Sequence, residues 1–61
     1  MKVNYNDITV DCEIEETDIA YKIYSDSKDI PKEIIIDKFL SDFQEIYKSR
    51  KLKIEVYYRN N

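Results

Sequence analysis

Ile8, Val10, Cys12 and Ile14 alternate without a break with Thr9, Asp11, Glu13 and Glu15. A period of two marks a strand with one buried face and one wet face, and it predicts a first strand over residues 7–15. Val3 and Tyr5 have the opposite parity. A turn or bulge therefore falls at Asn6-Asp7, because a one-residue slip exchanges the two faces. Glu16-Thr17 interrupts the alternation. It resumes as Ile19, Tyr21 and Ile23 against Ala20, Lys22 and Tyr24, a second strand over 19–25. The short link makes the two a hairpin. Setting Ile14 opposite Ile19 also sets Cys12 opposite Tyr21, Val10 opposite Ile23 and, on the wet face, Asp11 opposite Lys22.

Ser25 to Asp29 is a polar loop, followed by Ile30-Pro31. Proline suits the first turn of a helix and keeps the residue before it out of the helical region. Ile36, Phe39, Leu40, Phe43 and Tyr47 then recur at helical spacing, predicting one helix over 31–49. A third strand over 51–59 turns Leu52, Ile54, Val56 and Tyr58 inward and Lys53, Glu55, Tyr57 and Arg59 outward, with a frayed end at Asn60-Asn61. The pattern predicts an α+β fold, ββαβ, with one helix packed on a three-stranded, mostly antiparallel sheet. Strand order 2-1-3 is favoured, because it sets Asp11, Glu13 and Glu15 between Lys22 on one side and Lys53 or Arg59 on the other. The expected core is Ile8, Val10, Cys12, Ile14, Ile19, Tyr21, Ile23, Ile36, Phe39, Leu40, Phe43, Ile54 and Val56.

The chain has 61 residues, which makes residues 1–61 a single domain. Chains of this size bury only about 60% of their unfolded surface, so a dense core or self-association is needed for stability. Histidine is absent and Cys12 is the one cysteine. That leaves no disulfide and no Cys/His metal cluster. Cys12 reads as a small core residue suited to a reducing compartment. No apolar run is long enough for a leader or a membrane span. The scarcity of Gly, Ala, Pro and Arg beside abundant Ile, Lys, Asn and Tyr fits an AT-rich coding sequence, as in low-GC bacteria and their phages, and a cytoplasmic location in such a host.

Net charge is −3, but residues 1–47 hold twelve acids against five lysines, and residues 48–61 hold five bases against one acid. The basic tract Lys48, Arg50, Lys51, Lys53 complements a helix C-terminus, and direct nucleic-acid binding is not expected from so short a tract on an acidic chain. The line Asp11, Glu13, Glu15, continued by Glu16 and Asp18, is either a solvated sheet face or a surface for a basic partner. Its alternate residues lie about 6.6–6.8 Å apart, close to the phosphate spacing of an extended nucleic-acid strand. Tyr24 and Tyr57 project from the same face, and tyrosine is favoured at protein contacts. There is no histidine, no activated nucleophile and no Gly-rich phosphate loop. Neither catalysis nor a metal or cofactor is expected.

Small size, acidity and the carboxylates Asp11, Glu13, Glu15, Glu16 and Asp18 resemble the small phage-encoded inhibitors of the anti-CRISPR and anti-restriction type. The resemblance covers the whole chain but rests on no motif, and the basic end from Lys48 to Lys53 departs from a uniformly acidic mimic. It implies a protein that occupies a basic surface of a host enzyme. The expected binding residues are Asp11, Glu13, Glu15, Glu16, Asp18, Tyr24 and Tyr57. The alternative is a self-associating structural or regulatory protein, such as a homodimer, formed through an open sheet edge or a tyrosine-bearing face.

Overall fold

The computed structural model describes residues 1–59; the expected fraying of Asn60 and Asn61 lies outside them. The chain runs β1 (Lys2–Tyr5), β2 (Ile8–Asp11), β3 (Glu13–Glu16), β4 (Ala20–Ser25), α1 (Lys32–Asp42), α2 (Gln44–Ser49) and β5 (Lys53–Tyr58). The class is α+β, with a helical layer on a three-stranded sheet, as the hydrophobic pattern predicts. The number of strands is higher than expected.

The parity break after Tyr5 is a tight turn. Asn6 takes φ 54°, a left-handed conformation that asparagine tolerates better than most residues. The turn folds Lys2–Tyr5 back on Ile8–Asp11, with Val3 opposite Val10. This β1 is a strand that the alternation alone leaves unassigned. The first strand is also divided at Cys12. Its amide donates to the Met1 carbonyl at 2.7 Å, which closes the β1–β2 ladder. From Glu13 onward the chain pairs with β4 across its opposite edge.

The β3–β4 register sets Ile14 opposite Ile23 and Glu15 opposite Lys22, four residues from the expected pairing of Ile14 with Ile19. The cause is the turn. The Thr17 hydroxyl oxygen accepts from the Ile19 and Ala20 amides at 3.3 and 3.0 Å, and the Thr17 amide donates to the Ala20 carbonyl at 2.8 Å. Asp18 and Ile19 are thereby the turn residues, and Ile19 is 67% exposed rather than part of the core. An even shift keeps every side chain on its face, so the inward and outward assignments of both strands survive.

The favoured order 2-1-3 is replaced by β3-β4-β5, with β4 in the centre and β5 parallel to it. A strand–helix–strand crossover lands naturally beside the strand it left. The edge of the first strand that the other order needs is taken by β1 as far as Cys12.

Pro31, at φ −60° and ψ 144°, stands before α1, and its carbonyl accepts from the Ile34 amide at 3.1 Å. The single helix expected over 31–49 is interrupted at Phe43, whose φ −123° and ψ 34° leave the helical region. The Phe43 and Tyr47 amides still donate four residues back, to Phe39 and Phe43. The break is therefore a kink that these two bonds bridge. It sets the Phe43 ring against Phe39 at 5.3 Å and Tyr47 against Tyr21 at 6.2 Å.

Tyr21 is the centre of the core. It is 1% exposed, and its ring lies 5.1 Å from Phe39. Its hydroxyl donates to the Arg50 carbonyl, one of the acceptors that a helix end leaves free. Around it Val3, Cys12, Ala20, Ile23, Ile30, Ile35 and Phe39 are buried. Ile8, Val10, Ile14, Leu40, Phe43, Ile54 and Val56 are half-buried against them. The helix departs from expectation in its first turns only, while Phe39, Leu40, Phe43 and Tyr47 keep to the core. Ile35 and Phe39 face the sheet, and Ile36 is only half-buried and stands outside the cluster.

Candidate protein-binding face

The helices pack against one side of the three-stranded sheet, where Tyr21 and Ile23 point. Period-two alternation sends Glu13 and Glu15 of β3, Lys22 and Tyr24 of β4, and Lys53, Glu55 and Tyr57 of β5 to the other side. The registers assemble these into two rows, Glu13–Tyr24–Tyr57 and Glu15–Lys22–Glu55. Arg59 follows β5 and lies across the same face.

The Tyr24 and Tyr57 rings stack with centroids 5.6 Å apart and an interplanar angle of 24°, the offset arrangement aromatic pairs favour. Each phenol donates to a carboxylate, Tyr24 to Glu15 at 2.9 Å and Tyr57 to Glu55 at 2.6 Å. Those bonds hold both phenols in the neutral form and push their pKa values above the ordinary tyrosine value. The Arg59 guanidinium sits 5.3 Å from the Tyr24 ring centroid, within cation–π range. It pairs with Glu13 at 2.7 Å and with Asp26 at 3.3 Å, and the hydrogen bond to Glu13 raises its pKa further.

Four of the seven expected binding residues, Glu13, Glu15, Tyr24 and Tyr57, therefore come together. Three do not. Asp11 lies on the β1–β2 hairpin opposite Lys2, 3.0 Å from the amino-terminal ammonium. Glu16 alternates to the inner side and pairs with Arg50. Asp18 is in the turn, its carbonyl 3.5 Å from the Arg50 guanidinium. The unbroken acidic line of the sequence is thus distributed over a hairpin, a sheet face and a turn. Glu55, Lys22 and Arg59 belong to the face and are absent from the expected set, although the parity of their strands already turned them outward. Glu13, Glu15 and Glu55 are balanced there by Lys22, Lys53 and Arg59, so the face is patterned rather than uniformly negative.

On the inner side, Ile14, Glu16, Tyr21, Phe39, Phe43 and Ile46 line a groove of about 270 Å3. Its one carboxylate is held by Arg50. Burial raises the pKa of Tyr21, whose hydroxyl is committed to the helix end. Among the described residues no cluster of His, Cys, Asp and Glu could hold a metal ion, and no helix is long and apolar enough to cross a membrane. No protein-family model matches the chain, and no curated protein or solved structure matches it.

Proposed function

We propose that the chain is a non-catalytic protein-binding module that docks the open face of β3, β4 and β5 on a basic surface of another protein. The observation that carries this reading is the Tyr24–Tyr57 stack flanked by Glu15 and Glu55, carboxylates anchored by tyrosine hydroxyls rather than by cations. Arg59 supplies the template for recognition, since it already lies over Tyr24 and against a carboxylate. A partner's arginine or lysine would find the same combination beside Tyr57, which is 42% exposed. Tyrosine and arginine dominate the energetics of such contacts. An inhibitor encoded by a phage or mobile element, occupying a basic channel of a host enzyme, is the concrete form of this activity.

The test is affinity capture from a low-GC bacterial lysate with three baits: wild type, Tyr57→Ala, and Glu13, Glu15 and Glu55 changed together to Gln. The wild type should retain a partner that both variants lose. The Gln variant should mainly slow association and flatten its salt dependence. Both should keep their fold, because Tyr57 lies exposed outside the core and exposed charges contribute little to stability. A partner held equally by all three baits places its contact elsewhere and ends this reading.

A further inference from the structure

We propose that β5 pairs antiparallel with the β5 of a second copy, joining two three-stranded sheets into one of six strands. This surface is the sheet edge beside the face proposed above, and it shares Glu55, Tyr57 and Arg59 with that face. No residue of β5 is fully buried, in contrast to β4. The Arg59 amide donates to the Ser25 carbonyl at 2.8 Å. Alternation along the strand therefore turns the backbone groups of Glu55 and Tyr57 toward β4 and those of Ile54, Val56 and Tyr58 toward the open edge. Nothing on this edge blocks pairing: Lys53–Tyr58 contains no proline, and its inward side chains carry no charge. The other sheet edge is different. Met1 already occupies it at Cys12, and self-pairing of β3 would bring Glu13, Glu15 and Glu16 against one another.

Charge fixes the register. A two-fold axis at Tyr57 sets each Glu55 opposite Arg59 of the second copy and Val56 opposite Tyr58. It also sets the two Tyr57 side chains face to face, so that the Tyr24–Tyr57 stacks of the two copies become one row. An axis at Val56 opposes Lys53 to Arg59, and an axis at Glu55 opposes the two carboxylates, both unfavourable. A shift further toward the C-terminus shortens the ladder. Arg59 can keep Glu13 while receiving Glu55, because a guanidinium has five donors.

Sedimentation across a concentration series should show a wild-type dimer. Glu55→Lys and Arg59→Glu should each weaken it by roughly tenfold or more, since each turns two attractive pairs into repulsive ones. Mixed in equal amounts, the two variants should form a heterodimer, because both cross-strand pairs are then again opposite in charge. Tyr57→Cys should cross-link as a dimer on oxidation, since residues directly opposite in a non-hydrogen-bonded pair bring their side chains close. It reads the same register if a charge variant loses its circular dichroism. A wild type that stays monomeric at millimolar concentration overturns the proposal. So does a dimer that is indifferent to the charge changes, or the failure of folded charge variants to recover on mixing.

Discussion

Tyr24 and Tyr57 each give a phenolic hydrogen to a carboxylate, and that single choice shapes the open face. A carboxylate bound by a phenol keeps its charge, whereas one bound by a guanidinium is neutralised, as Glu13 is by Arg59. Glu15 and Glu55 therefore contribute more to the field of the face than Glu13 does. The same bonds predict a titration. The hydrogen bond to Glu15 is the largest cause of the upward displacement of Tyr24, so Glu15→Gln should bring Tyr24 back toward the ordinary tyrosine value of about 10. Tyr21 should not follow, because its displacement comes first from burial. Site-resolved NMR titration of the phenols checks this; equal shifts at both tyrosines would contradict the assignment.

At the scale of elements, two local features hold the strands and helix in place. Asn6 at φ 54° makes the β1–β2 hairpin. Replacing it with Val should cost about 1–2 kcal/mol, the cost of a left-handed conformation for a residue with a branched Cβ, while Asn6→Gly should be close to neutral; thermal unfolding of the pair measures the difference. The kink at Phe43 divides the aromatic layer unequally. Phe39, 1% exposed, should cost about 3–5 kcal/mol on replacement with Ala, whereas half-buried Phe43 should cost clearly less, a ranking that denaturant titration resolves. Most of this layout was legible in the sequence, because period-two and helical spacing survive any shift in register by an even number. What was not legible depends on hydrogen bonds between distant residues. The Thr17 hydroxyl widens the register by four and exposes Ile19. Met1 pairing with Cys12 closes the edge that strand order 2-1-3 requires. The burial of Ile35 in place of Ile36 goes with the hairpin and β5 packing on the helix, and three neighbouring isoleucines cannot signal it. The candidate site was legible in part for the same reason: parity put Glu13, Glu15, Tyr24 and Tyr57 on one face, but only the register shows that Glu55 and Arg59 complete it.

For the molecule as a whole, the tyrosines and Cys12 make stability a function of alkaline pH. Cys12, Tyr21, Tyr24, Tyr57 and Tyr58 all hold their protons more tightly in the folded chain. Burial is the first cause for Cys12, Tyr21 and Tyr58, and a bond to a carboxylate is the first cause for the other two. Each group has a folded pKa above its unfolded one. Above the unfolded value the native state binds more protons than the unfolded state, and the slope of unfolding free energy against pH is negative. The contribution is complete below the unfolded pKa and is lost as pH rises through the folded value. Stability should therefore begin to fall once the pH passes the ordinary thiol value of 9.0 and fall more steeply past the ordinary phenol value of 10.0. A domain this small starts near the lower end of the usual range of about 5–15 kcal/mol, so it has little stability to lose. Denaturant titrations at a series of pH values would trace the curve. Cys12→Ala should remove the early portion of the slope while leaving the later one, even though the lost sulfur lowers stability at every pH. A stability that stays level through the tyrosine range would mean that the phenols titrate alike in the folded and unfolded chain. The buried position of Tyr21 and the carboxylate bonds of Tyr24 and Tyr57 would then not persist in solution.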